Sequence, residues 1–401
     1  MKGIRFSPLE QVIATFREGG MVVICDDAER ENEGDLAIAA ECITPEKYSF
    51  MMRQGRGLVC TSIDPEIGRK LQLPLQIINN NSAFGTPFAP SVSLRSLGAE
   101  HSPVSARVQT VHRMIADDAT PDEFASPGSV YPLLANPAGV VGRDGQTEGS
   151  YDLARLAGLK PAALICEVLR EDGTMMRGAE LEEFALHHSL PITSVAEIFD
   201  YRVNHELLLR EEFQGDVQTR WGEWKARIFY DDVTQKEHLA LIYGDIRTGE
   251  PILTRVHSEC LTGDVFGSVR CDCGPQLDFA CDKIKEAGAG ILLYLRQEGR
   301  GIGLSNKLKA YELQDRGRDT VEANVELGFE ADERDYRVAV KILRILGISR
   351  LSLMTNNPDK IEVLRSSGVE IASREPIEVP VSKFAASYME TKKTKLGHLL
   401  T

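Results

Sequence analysis

The N-terminal stretch L-E-Q-V-I-A-T-F-R-E repeats its apolar residues at helical spacing. Ser7 and Pro8 before it predict an N-cap and a first helical position. Gly19 and Gly20 stop that helix, and the unbroken run M-V-V-I-C predicts a buried strand. A second apolar run, L-A-I-A-A, predicts another. Between them lies D-D-A-E-R-E-N-E-G-D, residues 26–35, in which six acidic residues surround Arg30. Thr44-Pro45 opens a second helix, and L-V-C-T-S-I predicts a further strand. Residues 79–142, rich in Pro, Ser, Asn and Gly, carry no period that traces an element. The pattern returns at Asp152. D-L-A-R-L-A-G-L predicts a short helix ended by Gly158, and A-A-L-I-C-E-V-L a strand with Glu167 near its end. L-E-E-F-A-L-H-H-S-L predicts a helix with its stripe at Leu181, Phe184, Ala185 and Leu190. His187 and His188 stand side by side there and so do not face one site.

The pattern changes across residues 201–212, where a polar helical stretch gives way to strand periodicity in R-I-F-Y, H-L-A-L-I-Y-G and P-I-L-T-R-V-H-S. Q-L-D-F-A-C-D-K-I-K-E-A-G predicts a helix. The strand A-G-I-L-L-Y-L-R then runs into the Gly-rich loop Q-E-G-R-G-I-G and the helix L-S-N-K-L-K-A-Y-E-L. Such a strand, loop and helix N-terminus can cradle a phosphate, although the loop matches neither standard nucleotide fingerprint. The last third alternates helix and strand, which implies parallel α/β packing. The expected fold is mixed α/β (α+β) with two domains, residues 1–203 and 204–401.

At 401 residues the chain is too long for one ordinary core. Its 42% hydrophobic and 26% charged residues suit a soluble globular enzyme. A net charge of −14 argues against a nucleic-acid or membrane-surface binder, which needs a basic field. The N-terminus has no apolar signal core, and eight cysteines in so long a chain do not form a disulfide framework. A cytoplasmic setting follows as the expectation. Acidic residues crowded between core strands suit an oxygen-ligated cation such as magnesium.

The chemistry concentrates in residues 255–274, R-V-H-S-E-C-L-T-G-D-V-F-G-S-V-R-C-D-C-G. Cys260, Cys271 and Cys273 offer three thiolates. A structural zinc is closed by four protein ligands, whereas a catalytic zinc keeps one position for water. His257 and Cys281 lie close enough in sequence to be candidates for a fourth ligand.

The motifs R-V-H-S-E-C, G-S-V-R-C-D-C-G, R-Q-E-G-R-G-I-G-L, A-D-E-R-D-Y and T-N-N-P-D-K, in this order, resemble GTP cyclohydrolase II over nearly all of residues 205–401. The N-terminal half resembles 3,4-dihydroxy-2-butanone 4-phosphate synthase in D-D-A-E-R-E-N-E-G-D-L, R-G-L-V-C, D-L-A-R-L-A-G-L and S-V-A-E-I-F-D-Y-R. The pair is similar to the fused, bifunctional enzymes of riboflavin biosynthesis. The resemblance implies Zn²⁺ on Cys260, Cys271 and Cys273. It implies hydrolysis of GTP to 2,5-diamino-6-(5-phosphoribosylamino)pyrimidin-4-one, formate and pyrophosphate. It implies GTP binding by Arg255, Val256, His257, Ser258, Glu259, Gln276, Glu298, Gly299, Arg300, Thr320, Thr355 and Lys360. Asp332 matches a proton acceptor, Tyr311 a catalytic tyrosine and Arg334 a nucleophile towards the α-phosphate. A guanidinium pKa of about 13 leaves almost no free base, so electrostatic clamping is an equally good role for Arg334. The acidic run around Asp332 also suits a helix N-terminus. A homodimer is the expected assembly.

In the N-terminal half, Arg30, Glu31, Asp35, Arg143, Thr147 and Glu167 match the synthase pattern, a Mg²⁺-dependent lyase. Two histidines do not. Gln146 stands where R-x-G-H-T has its His, Ser129 where R-P-G-H has its own, and Leu94 replaces a usual acidic residue. The expectation is an active GTP cyclohydrolase II carrying an impaired synthase. The alternatives are a fully bifunctional enzyme with Gln146 as a ligand, and an inert zinc- and nucleotide-binding regulator. Retention of Asp332, Arg334 and Tyr311 argues against the regulator.

Overall fold

A computed structural model of the chain describes residues 4–100, 102–247, 249–380, 382–395 and 397–399. It divides into two units, Met1–Glu206 and Leu207–Thr401.

The first unit is built on a seven-stranded mixed sheet. Its strands are β1 (Val22–Cys25), β2 (Gly34–Ala39), β3 (Cys60–Ile63), β4 (Val92–Leu94), β5 (Phe124–Leu134), β6 (Ala162–Glu167) and β7 (Ile192–Ser194), in the order β4-β5-β3-β6-β2-β1-β7. The unbroken apolar runs of β1 and β2 have a simple cause: both faces of the sheet are covered. Val23, Leu36, Ile38, Leu164 and Cys166 pack on one side with Met51, Val111 and Met114. Val22, Ile24, Ala37, Ala39 and Ile165 pack on the other with Val12, Phe16, Leu153 and Ile198. Alternate residues of each strand thus serve separate cores.

Three local expectations need correction. Ser7 does not cap the first helix (Leu9–Arg17); the Ser7 hydroxyl accepts the Ile192 amide at 3.2 Å, joining the N-terminal segment to β7. The helix expected from Asp152 starts six residues earlier and spans Gln146–Leu156. Its polar first turns are buried because Glu148 ion-pairs with Arg143 at 2.5 Å and Asp152 with Arg202 at 2.8 Å. Residues 79–142 hold β4, the helix Val104–Met114 and β5. His188 is the C-cap residue of the helix Ala179–His187 and packs edge-on against Phe50, Phe184 and His187, lining one surface cavity with the latter two.

The second unit has strands β8 (Leu209–Thr219), β9 (Gly222–Asp231), β10 (Lys236–Tyr243), β11 (Ile252–Ser258), β12 (Gly290–Leu295), β13 (Arg350–Met354) and β14 (Glu370–Glu375), in the order β14-β13-β11-β12-β10-β9-β8. Four neighbouring strands, β14, β13, β11 and β12, are parallel, and β10, β9 and β8 continue antiparallel. β8 replaces part of the polar helical stretch expected across residues 201–212. The helix Arg337–Leu346 covers one face through Val338, Ala339 and Ile342. The helix Cys273–Ala287 covers the other through Leu277, Ala280, Cys281 and Ile284. The carboxyl ends of β11, β12 and β13 lie side by side, the place where open parallel sheets bind ligands.

Candidate active site

Three motifs leave those strand ends. β11 runs into Glu259 and Cys260, β12 into the loop carrying Glu298, Gly299 and Arg300, and β13 into Thr355 and Lys360. Arg300 is held at φ +61°, a left-handed conformation uncommon outside glycine and often found at functional sites.

The sulfurs of Cys260, Cys271 and Cys273 lie within 4.8 Å of one another. Cys260 and Cys271 are separated by 3.7 Å. Two sulfurs bound to a tetrahedral zinc at about 2.3 Å each would stand about 3.8 Å apart. The loop under them fits as well, because a Cβ on Gly263 would come within 2.8 Å of the Cys271 sulfur and 3.0 Å of the Cys260 sulfur. The three residues therefore fit a metal ion with a thiolate preference. Hydrogen bonds from Cys271 and Cys273, together with the Lys307 ammonium, hold the Cys260 thiol far below its ordinary pKa.

Neither candidate fourth ligand joins this cluster. Cys281 is buried in the helix core, where burial pushes its thiol up to about 12. His257 turns its Nε2 to the Asp264 carboxylate at 3.1 Å and stacks on Tyr294. Asp264 also accepts the Tyr294 hydroxyl and the Cys260 amide, each at 2.9 Å. His257 thus helps to fix the loop that carries the first cysteine.

Two adjoining cavities border the thiols. One is lined by Ser258, Glu259, Glu298, Gly299, Tyr311 and Thr320 among others, besides the three cysteines. The second is lined by Arg255, His257, Gln276, Thr355 and Lys360 among others. Ser258, Cys273, Arg300 and Arg334 border both. The Val256 side chain points into the core, and its contribution is a carbonyl that accepts Lys360 Nζ at 2.8 Å. Burial, then Arg255 and Arg334, push the Lys360 ammonium well below its usual pKa. So positive a cavity calls for an anion.

Asp332 grips Arg334 through Nε at 2.8 Å and through Nη2. Burial raises the Asp332 pKa, but this pairing outweighs it and keeps the carboxyl below the usual range. Residues 330–336 precede the helix Arg337–Leu346, and the acid that serves its first turn is Asp335, which accepts the Arg337 amide at 2.8 Å.

Several side chains at the site carry no signal in the motifs. Lys307, buried in the helix Gly303–Asp315, donates to the Cys260 sulfur at 3.1 Å, to Thr262 Oγ1 at 3.0 Å and to Glu298 Oε1 at 2.7 Å. Glu298 Oε2 in turn accepts the Leu261 amide at 2.6 Å. Asp272 accepts Gln276 Nε2 at 2.7 Å and Lys392 Nζ at 2.6 Å, and Gln276 accepts Arg255 Nη2 at 2.7 Å. Asp272 could have been singled out for its place between two cysteines. Lys307 and Lys392 sit on ordinary polar helices and offered nothing to find.

In the first unit, Arg30, Glu31, Asp35, Arg143, Gln146, Thr147 and Glu167 all line one cavity, together with Glu33. Burial first, then Glu167 and its neighbours, raise the Asp35 pKa well above the ordinary range, and burial and Glu31 push Glu33 up to about 8. Asp35 Oδ1 is buried without a hydrogen-bond partner. These carboxylates fit a hard cation. Gln146 Oε1 accepts Arg30 Nη1 at 3.2 Å, which leaves one lone pair of a neutral amide oxygen to face the cavity. Ser129 is outside this cavity lining and pairs with Ser93, Oγ to Oγ, at 3.1 Å.

Residues 210–376 match the GTP cyclohydrolase II family, and residues 10–201 match the 3,4-dihydroxy-2-butanone 4-phosphate synthase family. The chain is 46% identical over 398 residues to the riboflavin biosynthesis protein RibBA of Aquifex aeolicus, covering 98% of each. It is 45% identical over 401 residues to RibBA of Cytophaga hutchinsonii, covering 100% of this chain and 99% of that one. Among solved structures it is similar to RibBX, a two-domain 3,4-dihydroxy-2-butanone 4-phosphate synthase from A. baumannii. That likeness is 31% identical with a TM-score of 0.60, over 93% of this chain and 100% of the other. A 3,4-dihydroxy-2-butanone 4-phosphate synthase solved with two magnesium ions is 34% identical over 50% of this chain and 99% of its own, with a TM-score of 0.48. Two family matches in tandem, and relatives aligned along both, leave one assignment: the chain belongs to the RibBA family of riboflavin biosynthesis enzymes, with a 3,4-dihydroxy-2-butanone 4-phosphate synthase domain followed by a GTP cyclohydrolase II domain.

Proposed function

We propose that the second unit hydrolyses GTP at a zinc held by Cys260, Cys271 and Cys273, giving the diaminopyrimidine, formate and pyrophosphate. The observation that carries this reading is the convergence of three sulfurs beside a cationic cavity. Zinc bound there supplies a Lewis acid that makes water nucleophilic near neutral pH, which attack on the ring carbon released as formate requires. Arg255, Arg300, Arg334 and Lys360 would take the phosphates, and Asp332 would set the Arg334 guanidinium for charge-assisted bonds to the α-phosphate. Asp332 is kept ionised by the same pair, the state in which it can accept a proton. Tyr311, lining the cavity that holds the sulfurs, would donate during ring opening. Ser258, Glu259, Gln276, Gly299, Thr320 and Thr355 complete the pocket.

The first unit, in this proposal, is an impaired synthase. Its carboxylates can bind Mg²⁺, a cation that would hold the enediolate of a ketose phosphate. The proton-moving imidazoles are replaced by Gln146, engaged with Arg30, and Ser129, engaged with Ser93. Full bifunctionality draws its support from the six matching residues on one cavity, with Gln146 beside them. The chain is taken to be a cytoplasmic homodimer that binds neither nucleic acid nor membrane. No described helix is long and apolar enough to cross a membrane.

One preparation assayed separately with GTP and with ribulose 5-phosphate tests both halves, since each reaction releases formate. The diaminopyrimidine should form from GTP, and dihydroxybutanone phosphate should not form from the pentose. Absence of the diaminopyrimidine from zinc-loaded protein refutes the first reading.

A further inference from the structure

The match to the GTP cyclohydrolase II family stops at residue 376, yet the chain beyond it returns to the site. Asn356, next to Thr355, holds this segment at both ends. Its side chain donates to the Ile377 carbonyl at 2.8 Å and accepts the Ile377 amide at 3.1 Å. Its backbone carbonyl accepts the Leu399 amide at 2.8 Å. Between these points the helix Ala386–Thr394 brings Lys392 to Asp272, the residue between two of the metal-site cysteines, at 2.6 Å. The His398 amide bonds the Lys392 carbonyl at 3.0 Å.

This strap ends in the cationic cavity. Ile377, Lys392 and His398 line it with Arg255, Arg300, Arg334 and Lys360. Five arginine and lysine side chains thus gather there, among which Asp332 pairs with Arg334 and Asp272 with Lys392. Burial, then Lys392 and Arg334, hold the His398 imidazole down at about 3, so it meets a ligand neutral, with one ring N–H to donate. A cover that served packing alone would bring apolar side chains. This one brings an ammonium and an imidazole to a cavity already rich in positive charge, an arrangement that a polyanion relieves.

We propose that residues 377–399 belong to the substrate site, and that Lys392 and His398 bind the phosphate chain of the nucleotide. The inference rests on the GTP reading of the second unit for the identity of that nucleotide. Lys392 has a double part. Held by Asp272, it faces the phosphates while linking the strap to the metal-binding loop, so a bound triphosphate and the cysteine loop are tied through one ion pair.

Calorimetric titration of the full-length, zinc-loaded protein with inorganic tripolyphosphate, with a non-hydrolysable GTP analogue and with guanosine tests the assignment. Lys392→Met should weaken tripolyphosphate and the analogue by about 10- to 100-fold, the scale of one charged hydrogen bond, and leave guanosine unchanged. His398→Ala should weaken both by about 2- to 10-fold. In turnover, Lys392→Met should raise KM for GTP more than it lowers kcat. His398→Ala keeps the Lys392–Asp272 pair, so it stays informative if Lys392→Met loses zinc or fails to fold. Tripolyphosphate binding at parental affinity in His398→Ala and in any folded Lys392 variant would make the strap a purely structural cover and overturn the inference. A parent that binds tripolyphosphate through Lys392 but produces no diaminopyrimidine would refute the cyclohydrolase reading and leave the inference standing.

Discussion

The Lys307 ammonium lies 3.1 Å from the sulfur of Cys260, with both side chains buried. Three thiolates around a divalent zinc carry a net charge of −1, and an uncompensated buried charge is costly. Lys307 would place a positive charge at hydrogen-bond distance from one of these thiolates, and its ion pair with Glu298 at 2.7 Å fixes its position. Groups placed in this way around metal ligands typically govern affinity by about 10- to 100-fold. Lys307→Met should therefore surrender zinc to a competing chelator at about 10- to 100-fold lower chelator concentration. Lys307→Arg should recover part of that loss. A Met variant that competes like the parent would reduce Lys307 to a packing residue.

The cysteines themselves should behave as a set. Cys271→Ser replaces a sulfur 3.7 Å from Cys260 with a poorer ligand for zinc. Less than about a tenth of the parental zinc should remain, by analogy with a zinc ligand set reduced from three residues to two, and formate release from GTP should fall with it. The first unit has its own two apolar cores and should keep its thermal transition. Metal analysis finding full zinc in the variant would defeat the ligand assignment.

How far the sequence reveals such a site depends on whether local order carries the information. Cys260, Cys271 and Cys273 were legible because their spacing is itself a chemical pattern. The buried strands were legible because covered faces require unbroken apolar runs. β8 was not. Most of its residues are exposed, and it is held by backbone pairing to β9, which leaves no period of two to read. β5 was hidden by Pro127, Gly128 and Pro132 within one strand. The buried start of the helix Gln146–Leu156 read as polar because its partners, Arg143 and Arg202, compensate its acids from elsewhere in the fold. Lys307, Lys392 and Asn356 acquire their roles only through contacts 18 or more residues away in several cases, such as Lys392 with Asp272, 120 residues apart.

Arg334 separates two mechanisms. Held by Asp332 through two nitrogens, its guanidinium is fixed as a fork, the shape that suits a phosphate. As a clamp, Arg334→Lys keeps a cation without the fork and should lose about 10- to 100-fold in pyrophosphate release, while Arg334→Ala should lose about 10²- to 10³-fold. An obligatory nucleophile predicts near-complete loss in both. Isolation of a nucleotidyl adduct on Arg334 would decide against the clamp.

The strap should respond to acid. His398 is neutral in the fold, its imidazole held down at about 3 by burial first and then by Lys392 and Arg334. Released, it would titrate near the ordinary value of about 6.5. The released form therefore binds a proton that the docked form refuses. Docking is fully favoured above about pH 6.5 and weakens as pH falls from there towards 3. At pH 5.5 the released fraction should be about tenfold that at pH 7.5. The Leu399 amide, bonded to the Asn356 carbonyl, reports it through hydrogen exchange corrected for intrinsic rate. His398→Gln should flatten the response. Equal protection at both pH values in the parent would show that His398 is not what holds the strap.

The last expectation concerns the first unit. Synthase chemistry on ribulose 5-phosphate needs a cation to hold an enediolate and groups that move protons. The cavity keeps its acids: Glu31, Glu33, Asp35 and Glu167 line it, and Mg²⁺ should raise the melting temperature of the unit by relieving their repulsion. Gln146 offers a neutral amide oxygen, shared with Arg30, where the synthase pattern places an imidazole, and loss of even an outer partner at a metal site costs about 10- to 100-fold. Ser129, bonded to Ser93, is no base near neutral pH, and losing a general base costs about 10²- to 10⁴-fold. Either loss alone leaves the activity marginal. Turnover of ribulose 5-phosphate to dihydroxybutanone phosphate should be at least about 10²-fold slower than GTP hydrolysis on the same preparation. Gln146→His should fold, because Arg30 retains Asp26 at 2.8 Å and Glu31 at 2.6 Å when its bond to residue 146 is lost. Paired with Ser129→His it should recover a small fraction of synthase activity, limited by the altered segment at Leu94. Comparable rates for the two reactions in the unmodified protein would establish Gln146 as a working substitute and end the case for an impaired half.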